Sequence, residues 1–425
     1  ETSGFPERSS DYSLGFEYIR NDNFTIAMNY ERNDYLGFKF VWKGNSAKHS
    51  TRPYINNQPY ERESHEKLRS LLDFNEIEVK KIGKLDDTLV IDVREYNSYT
   101  DLTYINSNID RAISDSDIFY EEILVSYSIN GLDAKQTSPE SFTTFEDSEI
   151  EILYLKEDKP KLFYSPNFVL RPFIAGREDF FKIALMAELN TQYNFNDNFS
   201  WTTNLKYALW QNFDDLYIPP VDTYPNQVRS DVKDYLNNFD DRVIVGRSQF
   251  DYFKTLSDSH HIQLSAGIFE EMFSGYGFEY LWNKNNLPFA VGFEVFDVYK
   301  RDYDLGFGLM DYSNITGHVN FYYENERILP FSLHVSYGEY LAGDKGYTFD
   351  LSRRFTNGVV MGGFFTKTNV TSSQFGEGSF DKGIYFQIPI SGEWFNFLWR
   401  PLTKDPGSKL IRKDNLYRYL RKYKD

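Results

Sequence analysis

A hydroxyl beside an imidazole is the first chemistry this sequence could support. His318 and Ser336 fall on two successive stretches of alternating hydropathy, and such a pair can activate a serine for attack. No third orienting residue and no oxyanion motif accompanies them. Glu270 and Glu271 are adjacent, so on a strand they point to opposite faces and make no glycosidase pair. His260 and His261 fail as joint metal ligands for the same reason. The doublets Asp214–Asp215 and Asp240–Asp241 lack the alternating spacing of a calcium loop. Cysteine is absent, which removes thiolate metal sites, disulfides and cysteine nucleophiles together. The expectation is a protein with no catalytic residue, no metal and no cofactor.

Binding chemistry is better represented. A glycan is held by aromatic rings against its C–H faces and by carboxylates or amides on its hydroxyls. Glu279, Glu294, His318, Asn320, Tyr322, Glu324, Asp350 and Arg354 supply those groups from the polar positions of alternating segments. The simpler reading of the same set is mutual satisfaction between neighbouring strands inside a narrow space. A second group, Asp344 and Lys345 with Glu377, Asp381 and Lys382, lies in two glycine-bearing loops and reads as a latch.

The elements that must carry these residues are strands. Of 425 residues, 18% are aromatic, with 33 Tyr and 38 Phe, yet the mean hydropathy is −0.55. A membrane barrel combines the two, because each strand alternates a lipid-facing apolar residue with a polar inward one and ends in aromatic girdles. No apolar run reaches the length of a transmembrane helix. A net charge of −17 argues against binding a phosphate backbone, which requires a basic footprint. The opening residues show no leader, so the expectation is that any signal peptide has been removed.

Alternation divides the chain. Residues 1–45 read as terminal strands of an incomplete amino-terminal barrel, and 55–155 as a periplasmic α+β domain with two amphipathic helices. Residues 160–390 read as a carboxy-terminal outer-membrane barrel of about twelve strands, centred near 187, 205, 247, 264, 279, 292, 307, 319, 334, 351, 364 and 385. The predicted fold class is mainly β, a transmembrane antiparallel barrel with a small periplasmic α+β domain. Counting strands from the periplasm puts the turns near 298–302 and 354–358 on the periplasmic side, and the loops 339–346 and 371–379 outside. The long segment 212–240 then becomes a periplasmic plug or docking element. Residues 391–425 are expected to form a periplasmic tail. Nine Lys/Arg against three Asp beyond Trp399 would suit it to anionic headgroups or an acidic partner.

Residues 219–412 resemble the exopolysaccharide biosynthesis YjbH family, which includes the GfcD-type proteins of capsule clusters. The resemblance rests on YPNQVRSDVKDY (224–235), SGYGFEYLW (274–282), YKRDYD (299–304), DYSNITGHVNFYYE (311–324), YLAGDKGYTFDLSRRF (340–355), FGEGSFDKGIYFQIPI (375–390) and WRPLTKDPGSKLIR (399–412), in this order. It implies an outer-membrane component of exopolysaccharide or capsule secretion and brings no agreed catalytic residue, so the expected role is non-enzymatic. The implied partners are periplasmic proteins and lipoproteins of the secretion system, outer-membrane lipid and the polysaccharide; the amino-terminal barrel of the family is incomplete here, either because the chain is a processed or truncated form or because another chain completes it. A diffusion porin and an outer-membrane hydrolase are the competing readings.

Overall fold

The structure, a computed structural model, describes residues 13–21, 24–31, 35–42, 64–95, 102–137, 150–173, 182–213, 224–239, 242–325, 329–355, 359–375, 380–389, 396–399 and 405–423. Three sheets account for most of them. In the first, β1 (Ser13–Asn21), β2 (Phe24–Glu31) and β3 (Tyr35–Trp42) form an antiparallel meander. Period two places Phe16, Met28 and Phe38 in one cross-strand row, on a face that is exposed and apolar.

The second is a five-stranded sheet in the order β7-β6-β5-β4-β8, built from β4 (Glu78–Leu85), β5 (Thr88–Glu95), β6 (Glu122–Ile129), β7 (Leu132–Thr137) and β8 (Glu151–Leu155). Only β5 and β6 pair in parallel. A parallel pair needs a long crossover, and α2 (Leu102–Asp115) provides it. α1 (Ser64–Phe74) presents Leu68, Leu71 and Leu72, and α2 presents Ile105, Ile109 and Ala112. Those helical-period stripes form one core with Ile82, Ile91 and Val125.

The third sheet has thirteen strands, all antiparallel, paired in sequence order. They are β9 (Lys161–Phe173), β10 (Lys182–Asn194), β11 (Phe199–Gln211), β12 (Val243–Ser257), β13 (His260–Ile268), β14 (Phe273–Asn283), β15 (Phe289–Arg301), β16 (Leu309–Asn325), β17 (Leu329–Glu339), β18 (Lys345–Arg354), β19 (Val360–Thr368), β20 (Asp381–Pro389) and the short β21 (Asn396–Trp399). No ladder among the described residues joins β9 to β21. Alternation sorts the faces: Phe293, Val319, Phe349 and Ile384 are exposed on the outside, while Glu279, Gln249, Asn320 and Thr348 are buried on the inside. Residues from strands as distant as β10 and β17 touch one inner segment, so the sheet curls around it.

Two differences from the sequence expectation have physical causes. The strand expected near 307 is a turn. Tyr303, Leu305, Phe307 and Leu309 imitate period two, but the Arg301 guanidinium collects the carbonyls of Leu305 and Gly306 and holds the chain in a loop. Leu305 takes φ of 58° there. Conversely β9 escaped notice because Pro166 and Pro172 interrupt it, which an edge strand tolerates. Both errors shift strand parity by one, and they cancel beyond residue 309.

Parity matters because one rim of the curled sheet meets the α/β module. Arg94 donates to Asp197 at 2.5 Å, Asn198 to the Gly131 carbonyl at 3.3 Å, and the Asp133 amide to Thr255 at 2.9 Å. The turn near 298–302 and, of the segment 212–240, the described residues 212–213 and 224–239 therefore belong on the opposite, far rim, not on the module side. Loop 339–346 and the described residues 371–375 of the loop 371–379 share that far rim.

Candidate functional site

Thirteen strands starting at the module rim finish at the far rim, so the chain must return, and it returns through the interior. Residues 405–423 run down the inside of the sheet and end in α4 (Leu416–Leu420) and a 3-10 turn, Arg421–Tyr423. This corrects the expectation of a basic tail on the periplasmic surface. Lys409, Arg412 and Lys413 are consumed inside the sheet and are not presented to headgroups.

The far end is anchored by a carboxylate. Asp405, fully buried, accepts the amides of Val228, Arg229 and Ser230 at 2.7–2.9 Å and the Ser230 hydroxyl at 2.6 Å. Those amides precede α3 (Val232–Leu236), whose segment packs Val228, Val232, Leu236 and Phe239 into the far mouth. Arg229 holds Glu270 through two nitrogens at 2.7 and 2.8 Å and donates to the Lys409 carbonyl. Glu271 lies beside Glu270 in the same turn and not on the opposite face of a strand, and it takes Arg171 and Lys206 from the inner side of β9 and β11.

Midway, one guanidinium bridges two strands. Glu279 and Glu294 lie directly opposite each other on β14 and β15. Arg412 Nη2 donates to both, at 2.8 and 2.5 Å, with its plane over Phe296. Two buried carboxylates in register would repel; the arginine makes their pairing tolerable. His318 Nδ1 sits 3.6 Å from Glu294. Lys409 Nζ reaches the Ser336 hydroxyl, and Lys413 reaches Gln192 at 2.6 Å.

Below them is an aromatic stack. Tyr417 lies on Tyr322 with centroids 4.0 Å apart and planes within 7°, and His334 covers the other side of Tyr322 at 4.5 Å. Tyr417 donates to Glu324 at 3.1 Å, and Asn415 to the Tyr322 hydroxyl at 3.2 Å. At the module end, Tyr423 donates to Glu95 at 2.5 Å and its ring meets that of Tyr127. Tyr417→Ala is expected to cost about 3 kcal/mol, as for loss of a buried aromatic. A lower urea midpoint for the folded protein in lipid vesicles would register it.

The structure thus brings Glu279, Glu294, His318, Tyr322 and Glu324 together around the tail. Asn320 accepts from His334 at 2.9 Å, and Asp350 from Tyr385 at 2.6 Å. Arg354 stands apart, exposed at the end of β18. Ser336 faces Asn320 across the ladder, while His318 faces Gly338; the serine's polar partner is Lys409. The loop residues separate as well. Lys345 pairs with Glu339 at 3.2 Å, Lys382 lies over Phe380, and Asp381 begins β20. Glu377 lies outside the described residues, as do Asp214, Asp215, Asp240 and Asp241.

Asp344 does latch, but to the tail: its carboxylate accepts the Gly407 amide at 2.8 Å. Burial pushes its carboxyl from 3.8 up to about 6, against the opposing pull of hydrogen bonds from Thr368 and Gly407. A folded value above the unfolded one means that the native chain takes up the proton first. Stability from this group is therefore fully present below about pH 4 and is lost as pH rises through 6. Asp344→Asn is expected to flatten that dependence and to gain about 1–3 kcal/mol at neutral pH, read from urea midpoints at pH 5 and pH 8.

Sequence reasoning missed Asp405, Lys409, Arg412 and Tyr417. Their spacing carries no regular period; the family-like stretch ending at Arg412 marked the first three, and nothing marked Tyr417. Among the described residues no cluster of His, Asp and Glu is arranged to hold a metal.

An antiparallel sheet with an apolar exterior, a polar interior filled by its own returning chain, and an α/β module across one mouth defines the class of protein. The chain belongs to the family described as exopolysaccharide biosynthesis protein YbjH, whose model matches residues 123–422. It is 34% identical over 272 residues to the "uncharacterized lipoprotein YjbH" of Escherichia coli K12, covering 61% of this chain and 38% of that protein. The chain therefore spans well under half the length of that relative. Among solved structures, OmpT of Vibrio cholerae, an outer membrane protein, aligns at 14% identity over 55% of this chain and 82% of its own, with a TM-score of 0.28. Its loop L8 deletion mutant gives 13%, 54%, 87% and 0.28. Overlaps this slight do not define the fold.

Proposed function

We propose that the thirteen-stranded sheet is an outer-membrane β-barrel and that the chain is a non-enzymatic component of exopolysaccharide secretion. The observation that carries this reading is the segregation of faces in a chain of an exopolysaccharide family. A charge on the lipid side costs about 2–4 kcal/mol at mid-depth, and the outer positions of β15–β17 offer Val291, Phe293, Val295, Val319, Phe321 and Tyr337 instead. The α/β module is then periplasmic, which fits a relative called a lipoprotein, and it offers a surface to periplasmic and lipoprotein partners. The amphipathic β1–β3 meander repeats the same face pattern, as strands of a further barrel completed by another stretch of polypeptide would. Lumen residues Glu279, Glu294, Tyr322 and Glu324 serve the conduit or its closure. An open porin is disfavoured because residues 405–423 fill the interior.

Membrane fractionation combined with gene deletion tests the reading. The protein is expected in the outer membrane, and its loss is expected to lower secreted polymer while polymer accumulates inside the envelope. Recovery in the soluble fraction, or wild-type secretion without it, would overturn the assignment. His318→Ala and Ser336→Ala are expected to leave secretion intact; loss of secretion by either variant at normal protein level would favour a hydrolase.

A further inference from the structure

Resting on that reading, we infer that residues 405–423 are a displaceable plug, that the path they occupy is the conduit, and that the α/β module is the handle that moves them. Three observations lead there. The wall facing the plug is polar: Gln192, Glu279, Glu294, Glu324, His334 and Ser336. A segment meant to stay would be held more stably by apolar packing, because buried ion pairs repay little beyond their own desolvation. A wall of carboxylates, amides and hydroxyls can instead be satisfied by water or by a passing chain.

The plug is also pinned at its ends by two separate devices. Asp405 clips it to the amides before α3 at the far mouth, and Tyr423 clips it to Glu95 in the module. Between the clips the tail pairs with no described strand: it is held by side chains and by separate hydrogen bonds to its backbone from or to Leu341, Asp344, Arg229, Glu270 and Glu279. Release of one end therefore does not require the sheet to unfold.

Finally, the lower end of the plug is continuous with the module's core. Leu416, Leu420 and Tyr423 are fully buried in one cluster with Leu68, Ile91 and Ile129. A partner that shifts the module pulls on Tyr423 through Glu95 and Tyr127, and through the turn Arg421–Tyr423 and α4 it carries Tyr417 off Tyr322. The bistable element is thus the plug, and module position biases it. Withdrawal uncovers the Tyr322 ring and the carboxylates of Glu279, Glu294 and Glu324. Those groups suit a neutral polysaccharide, whose C–H faces stack on the ring and whose hydroxyls donate to the acids. They disfavour an anionic one.

A chain without native cysteine allows locks to be introduced cleanly. The Leu341 amide donates to the Ser408 carbonyl at 2.9 Å, so Leu341→Cys with Ser408→Cys places a disulfide across the far clip. A second lock uses Glu95→Cys with Tyr423→Cys and a short reducible bis-maleimide at the module end. Each is made in the full-length protein, with outer-membrane level and cross-link yield measured. Either closed lock is expected to reduce secreted polymer by about tenfold, with recovery on reduction. In planar bilayers the wild type is expected to be nearly silent. Asp405→Asn with Arg412→Ala is expected to conduct, with a reversal potential that favours cations because Glu279 and Glu294 face the path. Wild-type secretion with both locks fully formed, or a silent double variant with its tail protease-accessible, would overturn the plug. A deletion strain that secretes normally would instead defeat the secretion reading beneath it.

Discussion

Replacing Arg412 with alanine is expected to lower stability by about 3–5 kcal/mol, the loss typical of removing one partner from a buried ion pair. The size follows from what remains. Glu279 is 2% exposed and Glu294 faces it across the ladder, so the variant leaves two carboxylates in register with no cation between them. Protonation of one would relieve the repulsion, and the defect should therefore shrink as pH falls. A combined replacement, Arg412→Met with Glu279→Gln and Glu294→Gln, is expected to recover most of the loss, because neutral groups of similar shape carry no desolvated charge. Urea unfolding in lipid vesicles at pH 5 and pH 8 decides the matter. Equal losses at both values, or no rescue in the triple variant, would mean that Arg412 acts through packing on Phe296 alone.

Asp405→Ala is expected to be comparably severe, by about 3 kcal/mol, for a different reason. Three consecutive amides, from Val228 to Ser230, converge on that one carboxylate. Removing an acceptor from buried donors costs about 1–3 kcal/mol for each left unsatisfied, less what water recovers. The effect should be local. Limited proteolysis is expected to cut the released segment 405–412 and the 224–239 segment together, while the strands stay resistant. Asp405→Asn keeps an acceptor and should retain part of the protection; equal sensitivity in both variants would make the negative charge, and not the hydrogen-bond geometry, the anchor.

How far the sequence foretold this depends on which residues repeat a period. Val291, Phe293 and Val295 against Glu294, or Phe349 and Leu351 against Asp350, state their faces by alternation, and eleven of the twelve expected strand centres fall on strands. Helical spacing of Leu68, Leu71 and Leu72 was equally readable. The failures share a cause. At 303–309 an alternating run exists without a strand because Arg301 holds the turn through tertiary contacts, and at 161–173 a strand exists despite its prolines. The acidic lining could be proposed from the inward parity of Glu279, Glu294 and Glu324. Its partner could not, since Arg412 lies 118 residues or more away along the chain and in a stretch with no period. What looked like a surface charge patch became the counter-charge of the interior only when the odd number of strands forced the chain back.

That odd number also governs the order of assembly. The segment inside the sheet follows every strand that encloses it, and the contact closing the arrangement, Glu95 to Tyr423, spans 328 residues. Loop closure over such a distance is slow, so the strands cannot finish curling independently and wait for their filling. They must either roll up around the segment or admit it sideways between β9 and β21, the two strand edges that no ladder joins among the described residues. Covalently bridging those edges before the tail has entered should therefore yield a rolled sheet that is empty, unstable and no longer attached to its α/β module.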